Sequence, residues 1–139
     1  MTGDPYGKFG EEHLQRIAEG IKLYNAGLYW ECHEELEHYW IDDIADNARN
    51  VYWAIIQVAT ALYHWRNSNL PGAQGMLRKA KEKLDRCETL KVETPMMQKF
   101  LSWDKFKKTV RAASNNSSLE DFYALAQFKF IDPSKWSYK

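Results

Sequence analysis

The chain has no apolar run approaching the ~18 residues a membrane span requires. Its opening, MTGDPYGKFG, has none of the apolar stretch of a secretory signal. Cysteine is scarce: Cys32 and Cys87 are the only two, and their spacing suggests neither a disulfide framework nor a zinc knuckle. Reduced thiols in a soluble, cytoplasmic protein are the expectation. Net charge is absent, with nineteen Lys+Arg against nineteen Asp+Glu, which removes any global attraction to nucleic acid or anionic lipid. Period-two alternation of apolar and polar residues is also missing, so strands are not expected. One absence is local. Between Leu23 and Ala48 there is no Lys or Arg but there are seven carboxylates. From Arg78 to Arg111 the balance reverses to eleven basic and five acidic residues.

What is present is helical periodicity and aromatic mass. The 139 residues are 45% hydrophobic, with six Trp, eight Tyr and six Phe. That is enough for one domain, 1–139, that buries about two-thirds of its unfolded surface; residues 1–10 read as flexible. Leu14, Ile17, Ala18, Ile21, Tyr24 and Leu28 recur at steps of three and four, which predicts a helix over 11–26 that Gly27 stops. A second helix spans about 29–42. Asp46 or Asn47 is placed to cap a third, about 48–67, apolar on most sides and therefore central. Pro71 suits the first turn of a fourth, ending near Cys87. Thr94-Pro95 opens a fifth through about Ala113, with a break near Ser102. Ser118 and Asp121 form a capping box for a short sixth. The tail FKFIDPSKWSYK carries Phe128, Phe130, Ile131 and Trp136 and is expected to lie against the body. Small residues at Gly20, Gly27 and Cys32 reappear 41 positions on as Ala61, Ser68 and Ala73. The expected fold is thus all-α with about six helices: two stacked, tetratricopeptide-like helical hairpins, then C-terminal helices and a packed aromatic tail.

The densest stretch is YWECHEELEHYW, residues 29–40. On a wheel of ~100° per residue, with His33 at zero, Glu37 falls at about 40°, Trp40 at about −20° and Trp30 at about 60°. His33 and Glu37 therefore share an aromatic face, expected to be buried, while Glu31, Glu34, Glu35 and His38 point to solvent. A glutamate four residues along can fix the histidine tautomer and leave one ring nitrogen free as a base, a ligand or a core acceptor. In an antiparallel hairpin Gln57 lies level with His33. His64 lies about 10 Å further along. A candidate polar site of His33, Glu37, Gln57 and His64 follows, lined by Trp30, Trp40 and Trp53. No cofactor is expected. A divalent metal on His33, Glu37 and His64 is the one arrangement the spacing allows, and it is strained.

The segments YNAGLYWECHEELEHYW and IIQVATALYHWRNSNLPGAQGMLRKAKEKL resemble a family of small all-helical bacterial and archaeal domains of unknown function, family 309 of that kind. Gly27, Tyr29, His33-Glu34, Leu36-Glu37, Trp40, Gln57, His64 and Gly72-Ala73 carry the resemblance, over about 20–87. It implies a helical-hairpin fold and no established activity. A protein-interaction or scaffold module with a buried His–Glu network is the leading functional reading, with a protein partner or a weak homodimer as its counterpart. The alternative is a small-molecule or metal-binding protein, conceivably an enzyme, using His33, Glu37, Gln57 and His64. A nucleic-acid face in which Trp103 and Phe106 interleave with Lys105, Lys107, Lys108 and Arg111 is a third reading. Zero net charge argues against it.

Overall fold

The computed structural model describes residues 7–42 and 45–137. Among these, seven α-helices and one 3-10 turn occur and no strand: α1 Glu11–Asn25, α2 Tyr29–Asp42, α3 Arg49–Arg66, α4 Leu70–Thr89, α5 Pro95–Leu101, α6 Trp103–Ala112, α7 Leu119–Ala126, and the turn at Pro133–Lys135. The all-α expectation is met. The count rises above six because Ser102, with φ +50°, splits the predicted fifth helix into α5 and α6.

The helices form for local reasons and stay for tertiary ones. In α1, Leu14, Ile17, Gly20, Ile21 and Tyr24 make one buried stripe, and Gly27 ends the run in the left-handed region at φ +76°. Gly20 is a close-approach position: a Cβ there would stand 2.4 Å from Leu36 Cδ2, so α1 and α2 pack only with hydrogen at that point. Helix α3 is buried on nearly every side between Asn50 and Leu62, and α2 and α4 both pack along it. Helix α4 starts where Asn69 accepts from the Gly72 N–H at 3.1 Å, with Pro71 in its first turn. The Ser118–Asp121 capping box closes reciprocally. Ahead of α3, Ala48 occupies the N-cap without a side-chain bond, and Asp46 acts one step earlier by accepting from the Ala48 N–H at 2.9 Å.

The described segments before α1 and after α7 are both tied to the body. The tail packs as expected: Phe128 and Phe130 are buried. Asn25 and Phe130 exchange two hydrogen bonds of 2.9 Å between side-chain amide and backbone. The flexible 1–10 expectation is corrected for the described part of that segment. Phe9 is 1% exposed, its N–H donates to the Val92 carbonyl at 2.8 Å, and its carbonyl accepts from the Thr94 hydroxyl at 2.9 Å. An apolar ring that can enter the core overrides the glycine-rich local sequence. Residues 1–6 lie outside the described residues. Cys32 and Cys87 are buried free thiols, each pushed up to about 12 by burial.

Part of the basic stretch is neutralised internally. Arg111 grips Glu88 with two hydrogen bonds, 2.8 and 2.9 Å, and Asp85 with one of 2.7 Å. Lys107 reaches Glu88 at 2.8 Å and Glu93 at 2.7 Å. Glu93 also accepts from the Trp103 indole at 2.6 Å. Trp103 and Phe106 are fully buried, so neither ring is free to stack on a base. The third functional reading loses its aromatic element.

The hydrogen bonds from Arg111, and after them those from Lys107, overcome partial burial and hold the Glu88 carboxyl at about 2, below its ordinary 4.5. A lowered folded value stabilises the fold above the ordinary value, and the stabilisation fades as pH falls toward the folded one. Glu88→Gln is therefore expected to be less stable than wild type near neutrality. The gap between their urea midpoints should narrow as pH is lowered from about 4.5 to about 2. A gap that stays constant across that range would contradict the assignment.

Candidate functional site

Helix α2 turns Tyr29, Cys32 and Leu36 into the core. That buried stripe lies about 60° round the wheel from His33, and the offset decides the character of the candidate site. His33 and Glu37 do pair, with Nε2 and Oε2 3.0 Å apart, but their side chains are 20% and 45% exposed. The expectation of a buried His–Glu network is corrected: the pair sits on the rim, because Cys32 occupies the core direction instead. Glu31, Glu34 and His38 are exposed, as expected, and His38 lies 3.6 Å from Asp42.

The aromatic residues divide into two groups. Trp30 is 42% exposed; its indole stacks on His33 at 4.7 Å and 24° and lies 5.1 Å from Tyr63. Trp40 and Trp53 pair separately, with centroids 5.0 Å apart. Neither group seals the His33–Glu37 pair from solvent.

A carboxylate can only accept, so the contact with Glu37 calls for a proton on His33 Nε2; in the neutral ring Nδ1 is then an acceptor. Nδ1 is buried and has no hydrogen-bond partner, and the same is true of Gln57 Oε1. The structure thus places Gln57 in the interior, 6% exposed, without the bond to His33 that the hairpin register suggested.

His64 belongs elsewhere. Its Nδ1 lies 3.3 Å from the Asn69 amide at the turn into α4, two helical turns beyond Gln57. Among the described residues no three His, Cys, Asp or Glu side chains come together as a metal site. The strained grouping of His33, Glu37 and His64 is therefore not assembled.

The buried histidine–carboxylate pair in this molecule is one the sequence analysis missed. His13 is 5% exposed and Asp46 7%. His13 Nε2 and Asp46 Oδ2 lie 2.7 Å apart, and His13 Nδ1 accepts from the Gly10 N–H at 2.9 Å. With both ring nitrogens committed, this histidine is a structural cross-link between the start of α1 and the α2–α3 connection. The signal was modest: His13 extends the α1 stripe by one turn behind Ile17, but Asp46 is 33 residues away.

With the geometry in hand, comparisons with known proteins can be placed. Residues 17–76 match the family described as Domain of unknown function (DUF309). The match spans α1 from Ile17, all of α2 and α3, and α4 as far as Met76. A relative in Bacillus subtilis (strain 168), "Uncharacterized protein YpuF", is 43% identical over 57 residues, 41% of this chain. The chain spans 33% of that relative's length. No solved structure matches. No helix among the described residues is long and apolar enough to cross a membrane.

The contrast between the two pairs is measurable. His13→Ala leaves a buried carboxylate without its partner and is expected to cost ~1–3 kcal/mol. Glu37→Ala removes a rim contact and should cost less than ~1 kcal/mol. Denaturant midpoints of the two variants and wild type check this, and an equal or reversed order would show the burial assignment to be wrong.

Proposed function

We propose that the domain is a protein-interaction module whose contact surface is the outer face of α2, and that its partner is a basic segment carrying apolar side chains. The observation that carries this reading is an exposed apolar stripe set among acids that face no Lys or Arg on their own helix. Trp30 is 42% exposed and Ile41 54%, and with Glu34 and Glu37 between them they follow one side of α2 at steps of four, three and four. No Lys or Arg lies on the helix. Trp30 is a prepared anchor, since its stacking on His33 and contact with Tyr63 fix its orientation before any partner arrives. Flanking carboxylates repel acidic partners and steer basic ones. Two hairpins, α1–α2 and α3–α4, pack in sequence, which supports the tetratricopeptide-like reading and an exposed helical face as the recognition element. Two buried free thiols suit the reducing cytoplasm.

A second reading, a small-molecule pocket, has one observation in its favour: the unpartnered His33 Nδ1 and Gln57 Oε1.

The interaction reading is tested with two labelled amphipathic peptides of identical leucine spacing, one with lysine and one with glutamate at the polar positions. Fluorescence anisotropy with the purified chain should show binding of the lysine peptide only, weakened as salt rises above ~0.15 M. Trp30→Ala should weaken it about tenfold or more, and Glu34→Lys should weaken it further at low salt. Equal binding of both peptides, or a Trp30→Ala variant that binds like wild type, would refute the proposal. Sedimentation of the chain alone shows whether the basic partner is a second copy, as a Trp30-dependent, salt-sensitive dimer would demonstrate.

A further inference from the structure

At one end of the bundle α2 stops, α3 begins and α4 makes its last turns, and there three cations converge on two indoles. Trp40 comes from α2 and Trp53 from α3. Arg49, in the first turn of α3, has its Cζ 4.8 Å from the Trp40 centroid and 5.8 Å from that of Trp53. From α4, Lys83 Nζ stands 4.1 Å and Arg86 Cζ 5.4 Å from the Trp53 centroid. All three charged groups lie within 5.8 Å of the centroid of one ring.

Among the described residues, no carboxylate bonds closely to these charges. Lys83 is 4% exposed. Its one carboxylate neighbour, Glu82, is 3.8 Å away, too far for a hydrogen bond, and its side chain is 71% exposed. Among the described residues no carboxylate pairs with Arg49 or Arg86. Burial first, and then the neighbouring Arg86, pull both Lys83 and Arg49 below their ordinary values, as expected for cations held together without a counter-charge. In the same turns of α4 but on its other side, Asp85 and Glu88, joined by Glu93, match the cations Arg111 and Lys107 of α6. The Trp40 indole N–H is also buried without a partner, so a neutral donor accompanies the three cations.

We propose that this cluster is a binding site for a phosphoryl group, free or esterified on a small molecule. Two guanidinium groups and an ammonium call for a ligand of at least two negative charges in a compact volume, and the planar arginine fork matches phosphate oxygens in pairs. The cations already cover the indole rings, so the site reads the oxyanion rather than stacking a base. It uses none of the side chains on the outer face of α2 and stands or falls independently of the interaction reading.

The test uses the full chain with pyrophosphate, citrate and sodium chloride at matched ionic strength, read as melting temperature and by calorimetric titration. Pyrophosphate should raise the melting temperature where sodium chloride does not, and Arg86→Gln, an exposed position, should weaken binding about tenfold or more. Without ligand, Arg86→Gln should be at least as stable as wild type, since it relieves repulsion; a purely structural cation–π role would make it less stable. Lys83→Met, provided it folds, should lose the pyrophosphate response altogether. Inorganic phosphate and glycerol phosphate titrated side by side separate the free from the esterified group, and binding of either supports the site. A wild-type response no greater than that to sodium chloride, an unchanged response in Arg86→Gln, or citrate binding as tightly as pyrophosphate would overturn the assignment.

Discussion

Helix α3 is enclosed from Asn50 to Leu62, and a helix enclosed on all sides dictates what surrounds it. Its neighbours must each present an apolar stripe. Tyr29, Cys32 and Leu36 of α2 supply one, and Ala73, Leu77, Ala80 and Leu84 of α4 another. Polar side chains along such a helix have to be satisfied locally or by something that enters. Thr60 returns its proton to the Ile56 carbonyl at 2.8 Å, and Asn50 donates to the Asn47 carbonyl at 2.9 Å. Gln57 finds no partner for its Oε1. The charged and aromatic chemistry is displaced to the ends of α3, where Arg49 and Trp53 meet one set of neighbours and Trp65 and Arg66 another.

A neutral chain can still be electrically sorted. The carboxylates of α2 have no Lys or Arg on their own helix. The cations of α4 split between a matched group near Glu88 and an unmatched group at Trp53. Surface pairs contribute little to stability one at a time, so the arrangement bears more on what the surface attracts than on whether the chain folds.

Much of this fold could be read from the sequence because its determinants are local. The Gly27 stop, the Ser118–Asp121 box and the start of α4 at Asn69–Pro71 each occupy a few adjacent residues. The site was less legible. A helical wheel shows which side chains are neighbours but does not mark the core direction, and centring on His33 pulled that residue inward. Cys32, small and fully buried, was the better marker. Nothing local links His13 with Asp46, or Trp40 and Arg49 with Lys83 and Arg86. Those groupings exist only once three helices have been laid side by side. Phe9 likewise looked dispensable beside its glycines until the Val92–Thr94 segment arrived to receive it.

The reciprocal amide pair between Asn25 and Phe130 bears on how the domain is divided. Tyr24, fully buried inside the family-matched segment, has the Phe130 ring 5.0 Å away, edge-on. That ring comes from 105 residues beyond Asn25 in sequence. The boundary of similarity at Met76 also cuts through α4, whose later turns carry Ala80, Leu84 and Cys87 into the core. In this chain the matched segment is thus completed from outside: a fragment ending at Met76 would leave Tyr24 without the Phe130 ring and the first turns of α4 without the later ones that continue their buried stripe.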